Sequence, residues 1–223
     1  MTANGGYHPY LERLITFASE GSFESEIQLA REEYFAESGP VREDEPSFDA
    51  RLEGFTEWYV LERTVPSRHR TPLELFLSEQ RGQIDAEDVE VYEGFRLTRR
   101  TLLEFVKSKD DHIIARDLFS GRKQAFFERR KLAGVDKGTL FDARVLQFRG
   151  VEVLTRSTIF HLDEVRRLIL AECKRLRRGA VEEQSALTRK LSLARLRAER
   201  YRRVDSERLY RQVLDGTTLP APT

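Results

Sequence analysis

The chain of 223 residues has one cysteine, one tryptophan and one methionine, and it never runs to eighteen consecutive apolar residues. A lone cysteine, Cys173, excludes an internal disulfide and any zinc site built on several cysteines, as suits a reducing compartment. Without a long apolar run there is no candidate membrane span, and the N-terminus "MTANGGYHPY" has neither the basic start nor the apolar stretch of a secretory signal. We therefore expect a soluble, cytoplasmic protein held together by packing. Chemical motifs are equally scarce. His8, His69, His112 and His161 share no catalytic or metal-ligand spacing, and there is no phosphate loop, dinucleotide fingerprint or nucleophile elbow. Acidic runs such as Glu32-Glu33 and Glu43-Asp44-Glu45 read as solvated faces rather than acid/base pairs. The expectation is a protein that is not an enzyme, with no metal and no cofactor.

Charge, by contrast, is abundant: 34% of residues are charged, with 38 basic and 38 acidic side chains. They are not evenly spread. Residues 1–60 hold four basic and thirteen acidic groups, a net charge of −9, whereas residues 162–223 hold fifteen and nine, a net +6. Opposite ends can attract each other within the fold or across a dimer, or one end can meet a nucleic acid or an acidic partner.

Hydrophobic spacing divides the chain into three parts. Residues 1–100 read as helical. Phe23, Ile27, Ala30 and Tyr34 form one stripe after a possible cap at Ser22, and Phe48, Leu52, Phe55 and Tyr59 form another after Ser47, with Trp58 beside it. "TPLE" combines a capping Thr71, Pro72 at the first helical position and Glu74 closing a capping box, and Asp85 can cap a further helix. Residues 101–179 change period. Leu102 to Lys109, Ile113 to Phe119, Gln124 to Arg130, Leu140 to Phe148 and Val151 to Phe160 are β-branched or aromatic runs between turn signals, which predicts a five-stranded antiparallel sheet or small barrel. Arg149-Gly150 should place Val145 opposite Leu154 and Phe148 opposite Val151, with a bulge near Leu146 and with Asp142 and Arg144 on a mixed face. Leu162, Val165, Ile169, Cys173 and Leu176 then mark a covering helix that ends at Gly179. Residues 180–223 read as a basic helical arm over about Glu183 to Leu214 with a short tail. The fold class expected is α+β.

Two sets of residues are candidates for function. The first is basic: Arg122, Lys123, Arg129, Arg130 and Lys131 follow the Ser120-Gly121 turn of "IIARDLFSGRKQAFFERRK", and Arg99 and Arg100 precede the first strand. The second is amphipathic: Leu187, Leu191, Ala194, Ala198 and Tyr201 lie on one line of the arm among arginines such as Arg195 and Arg202, a face that can pack back, pair with a second subunit or meet a partner helix.

Arg99-Arg100, together with Asp117, Ser120 and Gly121 of "RDLFSG", resembles the two motifs of PilZ domains, small barrels that bind cyclic di-GMP. Leu103 and Glu104 stand where that pattern has a further arginine, and Ser120 falls one residue late, so the resemblance implies the barrel and, less directly, its ligand. More widely, "FTEWYVLER", "TPLELFL", "IARDLFSG", "KGTLFDARVLQF" and "IFHLDEVRRLIL" resemble uncharacterised bacterial proteins with a helical N-terminal part and a compact β-rich part, over about residues 50 to 178. This resemblance implies the layout and a bacterial cytoplasmic setting, without an activity. The function expected is that of a non-catalytic interaction or regulatory protein that binds a protein partner or self-associates through its helices. The alternative is a module for nucleic acid or cyclic dinucleotide that uses Arg99, Arg100 and the basic hairpin.

Overall fold

A computed structural model describes residues 6–128 and 135–216. Five helices come first: α1 (His8–Phe17), α2 (Glu24–Phe35), α3 (Phe48–Leu61), α4 (Pro72–Gln80) and α5 (Ala86–Phe95). The capping box forms as expected, since the Thr71 hydroxyl accepts from Glu74 N at 3.2 Å and the Glu74 carboxylate accepts from Thr71 N at 2.9 Å. Ser47 and Asp85 precede their helices but make no side-chain cap bond. The Ser47 hydroxyl instead donates to Glu199, 152 residues away, at 2.7 Å.

Six strands follow: β1 (Arg99–Lys109), β2 (His112–Asp117), β3 (Lys123–Phe127), β4 (Leu140–Phe148), β5 (Val151–Leu154) and β6 (Ile159–Phe160). Strands β1 to β5 close in the order β1-β2-β3-β5-β4 and back to β1, and β6 extends the edge of β4 beyond β5. The β4–β5 hairpin has the expected register, Val145 opposite Leu154 and Phe148 opposite Val151. Four details differ from expectation. β3 and β5 pair in parallel and not antiparallel, and Arg99 and Arg100 open β1 instead of preceding it. The irregularity lies in β1, between Phe105 and Lys107, and not near Leu146. The run Val151 to Phe160 is broken in two because Ser157 leaves the ladder to donate to Glu57 of α3 at 2.5 Å, while Thr158 turns back to the Thr155 carbonyl at 3.2 Å.

After the barrel come α6 (Arg166–Arg175), α7 (Val181–Arg200) and α8 (Ser206–Leu214). The arm expected as one helix is thus two, because the Asp205 side chain accepts from Arg208 N at 2.8 Å and starts α8, which packs on α7. No helix among the described residues is long and apolar enough to cross a membrane.

Alternation along β4 explains how these layers meet. Phe141, Ala143 and Val145 point into the barrel with Leu103, Phe105, Ile113 and Phe126. The outward row begins with Leu140, under the C-terminal helices with Leu102, Val165, Ile169, Leu187 and Leu191, and ends with Leu146 and Phe148, under the N-terminal helices with Phe55, Phe76 and Phe95. Between these two apolar patches the same row carries Asp142 and Arg144, both fully buried. The barrel is therefore clad by two helical layers, and the polar pair marks the seam between them. The seam is also where the acidic N-terminal and basic C-terminal segments meet. Arg200 at the end of α7 donates to the Glu45 carboxylate at 2.7 Å and to the carbonyls of Ser38 and Pro40 at 2.5 and 2.9 Å.

Candidate functional site

Along the seam runs a cleft of about 830 Å³, a size typical of ligand sites. Its floor is ionic. Register places Arg100 of β1 directly opposite Arg144 of β4, an arrangement of like charges that costs stability unless carboxylates intervene. They do. Asp142 accepts from Arg100 through Nε at 2.8 Å and through Nη2, and Glu57 accepts from Arg144 Nε at 3.0 Å, with Glu62 taking Nη1. Burial works against the Arg100 charge, but the carboxylates of Asp142 and Glu57 help to more than restore it, so its pKa lies above the ordinary arginine value. Ser192 of α7 donates to the second Asp142 oxygen at 2.9 Å, tying the floor to the C-terminal layer, as Ser157 and Glu57 tie it to α3.

The rim is different. Arg122 follows the β2–β3 turn, Arg177 follows α6, and Arg189 lies on α7; all three line the cleft, are exposed, and have no carboxylate partner among the described residues. Arg177 crosses the turn itself, its Nη2 3.4 Å from the Ser120 carbonyl. A Cβ built on Gly121 would stand 1.8 Å from that guanidinium nitrogen, so glycine is needed for this approach as well as for a φ of +72°. The turn is held from below by Asp117, which accepts from Thr101 Oγ1 at 2.6 Å and Ser120 N at 2.7 Å.

The far wall is aromatic. Tyr34 of α2 and Trp58 of α3 are half-buried, with ring centroids 5.2 Å apart and planes tilted by 43°. Burial raises the Tyr34 pKa despite the nearby Arg100 and Arg144, so its hydroxyl is neutral. Beneath the α7 side, His161 is sealed in with its Nδ1 3.0 Å from the Tyr210 hydroxyl and its Nε2 3.7 Å from Asp142. Burial, with Arg195 and Arg100, pushes the His161 pKa down to about 4 against the pull of Asp142. Among the described residues no group of three or more His, Cys, Asp or Glu side chains is placed to hold a metal ion.

Of the residues singled out from sequence, the cleft collects Arg99, Arg100, Arg122 and Arg195. Arg99 is paired with Glu152 at 2.6 Å, and Arg195 with Glu199 at 3.0 Å and the Phe160 carbonyl at 2.8 Å. Lys123 is exposed at the start of β3, outside the cleft lining. Arg129, Arg130 and Lys131 lie outside the described residues. On α7, Leu187 and Leu191 are buried in the protein's own core, Tyr201 is half-buried at the helix end and Arg202 is exposed. Sequence reading missed Tyr34 and Trp58 as site residues, along with Arg144, Asp142, Glu57, Arg177 and Arg189. The polar interruption of the β4 outward row was the one available signal. Comparison with family models, curated proteins and solved structures finds no match for this chain.

Proposed function

We propose that the protein is a non-catalytic regulatory module that senses a phosphorylated small molecule in this cleft. One observation carries the reading: three arginines from three separate segments, Arg122, Arg177 and Arg189, line one ligand-sized cavity without a carboxylate partner among the described residues. Guanidinium groups suit phosphate because they offer paired donors and keep their charge at any physiological pH. The acids nearest the floor support a binding role, since Asp117, Asp142 and Glu57 each accept bonds from protein groups and so hold structure. The barrel motifs make cyclic di-GMP the first candidate. Its phosphates would meet the rim arginines, because Arg99 and Arg100 are engaged by Glu152 and Asp142. We favour the cleft over docking through α7, whose Leu187 and Leu191 are already covered.

Calorimetric titration with cyclic di-GMP and with pyrophosphate tests the proposal, on the native protein and on Arg122→Ala/Arg177→Ala/Arg189→Ala. Binding that weakens with salt and is lost in the triple variant is expected. No binding of either compound, or binding that the triple variant leaves intact, overturns it. A second reading, single-stranded nucleic acid along Arg122 and Lys123, predicts instead an affinity that grows with oligonucleotide length.

A further inference from the structure

The cleft has two chemically distinct ends, and this narrows what it takes. At one end stand the rim arginines. At the other, Trp58 and Tyr34 turn part of their rings toward the cavity although both pack against the N-terminal core. This wall belongs to α2 and α3, outside the barrel segment. Phosphate alone has no use for such a wall.

The aromatic end also has unused hydrogen-bonding capacity. The Tyr34 hydroxyl makes no hydrogen bond to the described residues. Arg100 spends Nε and Nη2 on Asp142 and the Ser157 carbonyl, leaving Nη1 without a hydrogen bond among the described residues. Gly54 brings the two groups together, since a Cβ placed on it would lie 2.9 Å from the hydroxyl and 3.3 Å from Nη1. Two polar groups thus converge beside two aromatic rings. That combination suits the acceptor-bearing edge of a planar heterocycle, with the ring face against Trp58 and the edge toward Tyr34 and Arg100.

We infer that the occupant of the cleft is a nucleotide, its base against Trp58 and Tyr34 and its phosphate at Arg122, Arg177 and Arg189. This rests on the phosphate-binding reading and adds to it the base and the residues that select it. Stacking of a base on an aromatic side chain corresponds to roughly 5- to 150-fold in affinity.

Trp58 is the only tryptophan in the chain, so its fluorescence reports on this wall alone. Full-length protein is titrated with cyclic di-GMP, AMP, GMP, ribose 5-phosphate and pyrophosphate, followed by fluorescence and by calorimetry. A nucleotide should quench Trp58 and bind at least about fivefold tighter than ribose 5-phosphate. Trp58→Ala should erase that preference and leave pyrophosphate affinity unchanged, while Trp58→Phe keeps most of it. If ribose 5-phosphate binds as tightly as every nucleotide tested, the base assignment is wrong and the phosphate reading stands. If none of the five binds, the phosphate reading fails and this inference falls with it. The ligand comparison on native protein decides the matter even where Trp58→Ala does not fold.

Discussion

Gly54 of α3 lies so close to Tyr34 of α2 that an added Cβ would stand 2.9 Å from the tyrosine hydroxyl and 3.3 Å from Arg100 Nη1. The helix therefore reaches the floor of the cleft only because this position has no side chain. Gly54→Ala gains about 1 kcal/mol in helix propensity but must displace both groups, an overpacking cost of about 1–3 kcal/mol. We expect a lower melting temperature and altered Trp58 emission. An unchanged melting temperature and spectrum would show that Tyr34 is free to move aside.

The buried pair Arg144 and Glu57 should behave asymmetrically. Glu57→Leu leaves the Arg144 guanidinium with only the partly exposed Glu62 and Thr98, and should cost about 3–5 kcal/mol in urea unfolding. Glu57→Leu/Arg144→Met removes the stranded charge and should recover most of that loss. If the double variant is no more stable than the single, the pair is supporting more than its own charges.

His161 makes stability depend on pH in a defined window. Its pKa is about 4 in the fold, set by burial and by Arg195 and Arg100 against Asp142, and the ordinary value is 6.5. The unfolded chain therefore binds the extra proton between these values. His161 costs nothing above pH 6.5, and its contribution falls by roughly 3 kcal/mol as pH drops toward 4. His161→Gln should flatten unfolding free energy across that window, whereas an equally steep profile in the variant would assign the effect to other groups.

Truncation after Gly179 removes α7 and α8. Leu187, Leu191 and Ala194 cover Leu102 and Leu140 of the barrel, and Tyr210 and Val213 complete the same core. We expect the shortened chain to lose cooperative unfolding and to aggregate. A well-folded monomer on size-exclusion light scattering would mean that the barrel stands without its C-terminal layer.

Sequence period made much of this layout legible. Thr71-Pro72-Leu73-Glu74 fixes a helix start from four adjacent residues, and Arg149-Gly150 fixes a register from two, because caps and tight turns are local. The strand break at Ser157 was not legible, since its cause is Glu57, 100 residues away. The cleft shows the same division. Arg99, Arg100 and Arg122 were visible as charge on a turn or strand edge. Arg177 and Arg189 looked like any other arginine of a basic arm, and Tyr34 and Trp58 like members of apolar stripes. Only the meeting of two helical layers on one barrel gives them a common role. Asp142 and Arg144 give β4 a mixed face in the sequence, and that mixed face is the seam.

The bond from Arg200 to Glu45 spans 155 residues. A ribosome delivers Glu45 long before Arg200, and closing so long a loop has to wait until α7 leaves the exit tunnel. Until then the C-terminal side of the seam is open, and Leu102 and Leu140 lack the cover that Leu187 and Leu191 later give them. The cleft cannot form before α7 has been made and docked, because Arg189, Ser192 and Arg195 are part of its lining.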